Sequence, residues 1–170
     1  KLVDSPEWIA LNNKTITVTG LEQNTNYSFE AKARNHDGIE TEYSSLKSRT
    51  TLALPPDTLN FSDISQNHIT VSWEGINGAT GYELEVDGKI VNTGLSTSYL
   101  HTRLLPQTTH NYRVRVINSG GTGNWSNVAS CTTLPLPPET PEIIDYSYGR
   151  TEITITWSMV PGADGYDVEI

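Results

Sequence analysis

The sequence predicts an all-β chain made of two-sheet sandwiches, and three observations carry that prediction. Short stretches alternate apolar and polar residues, and no sustained 3.6-residue period occurs anywhere. Clusters of Gly, Asn, Asp and Pro punctuate those stretches where turns are needed. The chain also repeats itself. Ile69-Thr70-Val71-Ser72-Trp73 returns as Ile153-Thr154-Ile155-Thr156-Trp157, and Gly81-Tyr82-Glu83-Leu84-Glu85-Val86 returns as Gly165-Tyr166-Asp167-Val168-Glu169-Ile170. Leu104 to Thr108 has a counterpart in Leu21 to Thr25, and Thr132 to Pro138 in Thr50 to Pro56. The offset is 82 to 84 residues throughout, which is the size of a domain and far above a solenoid repeat.

Each element follows from the alternation, because successive side chains on a strand point to opposite faces. Phe29, Ala31 and Ala33 alternate with Glu30, Lys32 and Arg34 before the Asp37-Gly38 turn. Ile69, Val71 and Trp73 form one face of a strand, and Tyr82, Leu84 and Val86 form one face of the next. After the Asp87-Gly88 turn, Tyr112, Val114 and Val116 alternate with Arg113 and Arg115 and lead to Asn118-Ser119-Gly120-Gly121. Apolar-in, polar-out strands of this length suit sandwiches of about seven strands.

These elements resemble fibronectin type III domains. One early strand carries a Trp (Trp73, Trp157), and the next begins Gly-Tyr-x-Leu/Val (Tyr82, Tyr166). A Leu-x-Pro-x-Thr-x-Tyr corner is matched by Leu21 to Tyr27, with Gln23 where Pro is usual; Pro106 keeps the proline. The resemblance implies tandem fibronectin type III-like, immunoglobulin-like, seven-stranded β-sandwiches, one complete and two partial. Residues 1–54 are expected to be the C-terminal part of a module, 55–136 a complete one, and 137–170 the N-terminal part of another. Aligning Asn118 with Asn35 puts His110 where Tyr27 stands, which leaves open how the middle corner closes. The Ser/Thr/Asn-rich, nearly Cys-free composition is similar to modules of bacterial secreted or cell-surface multi-repeat proteins.

Composition removes several classes. A net charge of −9 offers no cationic excess for a phosphate backbone or an anionic membrane surface, so no nucleic-acid partner is expected. No apolar run approaches the ~18–20 residues that would span a bilayer, so no membrane insertion is expected. Cys131 is the only cysteine, so no disulfide forms within the chain. Its alternation from Val128 suggests that it faces solvent. No basic-then-apolar leader opens the chain, as expected for a processed protein or a piece of a longer one.

Candidate chemistry is thin. His36, His68, His101 and His110 have no ligand spacing among themselves or to Cys131, and no Gly-x-Ser-x-Gly elbow or phosphate loop occurs. No catalytic residue, metal or cofactor is expected, and the chain is read as no enzyme. Glu83 and Glu85 share a strand face opposite Arg113 and Arg115, which favours a salt-bridge ladder over an acid–base pair. Asp167 and Glu169 near one end, and Lys32 and Arg34 near the other, each form half of such a ladder. They are expected to meet across fragments.

Trp8, Tyr43 and Trp125 are the candidate binding aromatics, suited to a protein or glycan partner; the plainer alternative is that they cover their own sandwich or a joint. The joints, Leu52-Ala53-Leu54-Pro55-Pro56 and Leu134-Pro135-Leu136-Pro137-Pro138, are proline-stiffened. The expected function is structural and adhesive: a semi-rigid spacer, stalk or fibre unit at the cell surface or outside the cell. Its partners are then neighbouring modules or copies of itself. The alternatives are a non-catalytic accessory module of a secreted polysaccharide-degrading enzyme, or a virion or tail module.

Overall fold

A computed structural model of the chain describes residues 15–140, 142–143, 151 and 153–169. Twelve strands and no helix occur among them. Among the described residues no helix is long and apolar enough to cross a membrane.

The core lies in the middle of the chain. β3 (Leu59–Ser62), β4 (His68–Trp73) and β7 (Ser98–Thr102) form one sheet in the order β3-β4-β7. The facing sheet runs β10 (Ala129–Thr132), β8 (Thr109–Asn118), β5 (Ala79–Val86), β6 (Lys89–Gly94), with the short β9 (Gly121–Thr122) paired to β8. All of these pairings are antiparallel. The inward faces are the apolar faces of the alternation: Ile69, Val71 and Trp73 from β4, Tyr82, Leu84 and Val86 from β5, and Tyr112, Val114 and Val116 from β8. Ile69, Val71, Leu84, Val114 and Val116 are wholly sequestered from solvent. Trp73 meets Tyr82 edge to face at 5.8 Å, a geometry aromatic quadrupoles favour. The Tyr82 hydroxyl accepts the Ile76 amide at 2.6 Å, so this buried phenol keeps a partner.

Two short pairs flank this sandwich. β1 (Asn26–Phe29) lies antiparallel to β2 (Lys47–Thr50), and β11 (Glu142–Ile143) to β12 (Ile155–Thr156). Trp157 and Tyr166 repeat the edge-to-face contact at 5.7 Å, and the Tyr166 hydroxyl accepts the Val160 amide at 2.6 Å.

One detail differs from the sequence reading. Cys131 points inward and packs against the core with Ala129, because Val128 precedes β10 and is 60% exposed, so the alternation starts one residue later. The open question of the middle corner is also answered. Tyr27 closes its corner by accepting the Glu22 amide at 2.8 Å. His110 works through a relay instead: its Nε2 lies 2.9 Å from Thr108 Oγ1, which donates to the Leu105 carbonyl at 2.6 Å.

Candidate functional sites

The first site is the joint between residues 15–53 and the sandwich. Asn118 ends β8 and is 4% exposed, which obliges its amide to find partners. It finds four. Nδ2 donates to Asn24 Oδ1 at 3.0 Å and to the Thr51 carbonyl at 2.9 Å, while Oδ1 accepts the Gly120 and Gly121 amides at 2.8 and 3.2 Å. Asn24 Nδ2 donates onward to the Asn77 carbonyl at 2.6 Å, and Arg49 Nη2 to the Gly120 carbonyl at 2.8 Å. Ser119 Oγ meets Thr50 Oγ1 at 2.8 Å, and Ala53 of the linker is itself part of the core. The Gly-rich stretch is explained by this approach. A Cβ on Gly120 would run into the Thr50 carbonyl oxygen, and one on Gly123 would lie 2.6 Å from that of Ala53.

Much of this geometry recurs. Asn24 N donates to Leu52 O at 3.1 Å, and Gln107 N to Leu134 O at 3.2 Å. Thr51 Oγ1 donates to Glu22 O, and Thr133 Oγ1 to Leu105 O, both at 2.7 Å. Asn24 packs on Gly78 and Gln107 on Gly162, with both glycines at φ +77°.

The second site is the outer face of the larger sheet. The β5–β8 register sets Glu83 opposite Arg115 and Glu85 opposite Arg113. Arg113 holds Glu85 with two bonds of 2.9 and 2.7 Å, and Arg115 Nε donates to Glu83 at 2.7 Å. Trp125 lies half-buried across this ladder, its ring 4.2 Å from the Arg115 guanidinium carbon and 4.9 Å from that of Arg113. Both cations draw on the ring's negative face. In the first segment Lys32 Nζ sits 5.3 Å over the Tyr43 ring and pairs with Glu40, whose hydrogen bond raises the lysine above its usual value. The backbone of Arg34 bridges to Glu40. Asp167 and Glu169 are exposed, and Trp8 lies outside the described residues. The structure thus sets Trp125 and Tyr43 against cations of their own segments. Trp125→Ala is expected to lower the melting temperature, and Trp125→Ala with Arg115→Ala to lose less than the two single losses combined. Strict additivity in that double-mutant cycle would dissolve the ladder.

A third grouping was invisible to spacing. The β5–β6 turn, β7 and β8 bring Asp87, His101 and His110 together, with one donor atom of each within 4.8 Å of the others. His110 Nδ1 lies 2.6 Å from Asp87 Oδ2, and Asp87 Oδ1 accepts the Asn111 amide at 2.8 Å. His101 Nδ1 lies 3.0 Å from the Tyr112 hydroxyl. Burial pushes the Asp87 carboxyl up, but the Asn111 amide and His110 outweigh it and hold it below its usual value. Burial, then the His110 charge, holds His101 down. Only the packing of one sheet on the other could have revealed the group, since β7 and β8 lie in different sheets.

Burial also pushes the Tyr112 phenol well above its usual value near 10. An unfolded tyrosine ionises near pH 10 and this one does not. Its contribution to stability is therefore complete below about pH 10 and is lost as pH rises beyond it. Tyr112→Phe is expected to flatten the alkaline limb of the stability–pH curve measured by thermal unfolding; an unchanged limb would assign it elsewhere.

Comparison with known proteins places this sandwich. Residues 54–132 match the family model of the fibronectin type III domain. Mouse Fibronectin type III domain containing protein 3C1 is 34% identical over 102 residues, covering 57% of this chain and 8% of that protein. Chicken Receptor-type tyrosine-protein phosphatase S is 28% identical over 133 residues, 76% of this chain and 9% of that protein. Human usherin is 29% identical over 164 residues, 91% of this chain and 3% of that protein. The chain therefore spans less than a tenth of each of these relatives. The expected likeness to bacterial modules is not supported, since the relatives are mostly animal proteins. Ser and Thr stand at outward strand positions such as Thr70 and Ser72, where alternation calls for polar residues, so composition was a poor guide to origin. In sheet order, in the Trp–Tyr pair of its core and in family match, residues 54–132 are a fibronectin type III domain.

Proposed function

We propose that this chain is a stretch of a longer extracellular protein in which fibronectin type III modules follow one another as a semi-rigid structural and adhesive spacer. Residues 1–54, 55–136 and 137–170 belong in this reading to three successive modules. The observation that carries it is the joint. Asn118, Arg49, Asn24 and Ser119 bind across it, and Gly120 and Gly123 admit the preceding linker to backbone contact. The recurrence of that geometry at Gln107 and Gly162 supports one joint design used repeatedly. The receptor-type name of one relative supports an extracellular setting.

On this reading Asp167 and Glu169 meet basic residues equivalent to Arg113 and Arg115, and Lys32 and Arg34 meet acidic ones. A covalent neighbour or a second copy supplies them. The chain presents and connects, and contributes no catalysis.

Spin labels on cysteines at the exposed positions Glu42 and Lys89, in a Cys131→Ser background, test the stiffness. Pulsed dipolar spectroscopy is expected to give one narrow distance distribution; a broad one, as for a Gly/Ser tether, would overturn the spacer. Light scattering separates the sources of continuity. A monomer points to covalent neighbours, and growth with concentration points to copies of the chain.

A further inference from the structure

We propose that Asp87, His101 and His110 form a binding site for a divalent transition-metal ion of the zinc class, which would fasten the two sheets together at one end of the sandwich. Two imidazoles and a carboxylate are the donor set such an ion prefers, and three protein ligands leave one tetrahedral position for water. The donors come from three places: the β5–β6 turn (Asp87), β7 of one sheet (His101) and β8 of the other (His110). Their donor atoms already lie within 4.8 Å of one another, so binding needs side-chain adjustment and no backbone rearrangement.

The surrounding hydrogen bonds orient the ligands. Thr108 Oγ1 spends its proton on the Leu105 carbonyl, so it can only accept from His110 Nε2–H. That keeps the Nε2 proton in place and leaves Nδ1, which faces Asp87, as the nitrogen that would ligate a metal. Tyr112 occupies Nδ1 of His101 and leaves Nε2 for the ion. The Asn111 amide fixes the other oxygen of Asp87. Each of the three ligands thus has an outer partner of the kind that orients metal ligands.

The probe is Zn²⁺ alone, titrated calorimetrically into the metal-stripped 170-residue chain, with melting temperature as a second readout. The expected result is one ion per chain and a rise in melting temperature of more than about 5 °C at saturating metal. Asp87→Asn and His101→Gln should each weaken binding at least ~10-fold. Asp87→Asn retains the acceptor for the Asn111 amide, and His101→Gln leaves the His110 relay untouched, so both variants should remain folded; circular dichroism checks this. His68→Gln removes the half-buried histidine that lies 3.3 Å from Asp63, and Cys131→Ser the thiol whose backbone pairs with that of His110. Both should bind as the unaltered chain does. Co²⁺ in place of Zn²⁺ should show visible d–d bands without a thiolate charge-transfer band. Lack of saturable binding below about 1 mM Zn²⁺, binding that survives His101→Gln, or binding lost with His68→Gln or Cys131→Ser would each overturn the site.

Discussion

Replacing Asn118 with alanine is expected to destabilise the chain by about 2–4 kcal/mol in equilibrium urea unfolding. The residue is 4% exposed and its side-chain amide holds four bonds at once. Alanine leaves the Gly120 amide and the Thr51 carbonyl facing a small cavity without partners. Each stranded buried group costs about 1–3 kcal/mol. Asn118→Asp is expected to fare worse at neutral pH, because it turns a carboxylate toward the Thr51 carbonyl and Asn24 Oδ1 where an amide donated. Acidification should recover part of that loss as the carboxylate protonates. A cost for Asn118→Ala below about 0.5 kcal/mol would show that the joint does not depend on this residue.

Gly120→Ala is the second large effect. The new Cβ would collide with the Thr50 carbonyl oxygen and lie 3.0 Å from Asn118 Oδ1, and backbone cannot swing aside as a side chain does. Overpacking of this kind costs about 1–3 kcal/mol. Its mark should be loss of the joint: the distance distribution between labels at Glu42 and Lys89 broadens while the sandwich stays folded. Gly88→Ala is the control. That glycine has a positive φ of +80°, which Gly120 does not share, and nothing lies within 4 Å of its added Cβ. It should cost roughly 1 kcal/mol of strain and leave the distribution narrow. Equal broadening in both variants would rule out contact as the cause.

The legible parts of the fold were those where burial is one-sided. β4, β5 and β8 announce themselves because their inward faces are apolar at every second residue and their outward faces are Thr, Ser, Glu and Arg. β6 is an edge strand that leaves Ile90 55% exposed, so its pattern carries little signal. Cys131 was misread because the alternation was counted from Val128, a loop residue, and a shift of one position exchanges the two faces. The opposition of Glu83 and Glu85 to Arg115 and Arg113 was readable once the sandwich was assumed, since strand order then follows.

The candidate sites were harder to read because they join residues that no local period relates. Trp125 reads as an exposed aromatic until β8 places two guanidinium groups across its ring. Asp87, His101 and His110 have irregular spacing, and only the packing of two sheets brings their donors within 4.8 Å. By itself the sequence determined an all-β chain with domain-sized repetition, because side-chain alternation and turn chemistry are local properties written residue by residue. The tertiary structure decided the clamped joint, the stacked tryptophan and the histidine–aspartate cluster. Those depend on register and on the approach of one segment to another, and hydrogen-bond geometry and excluded volume act there across the fold.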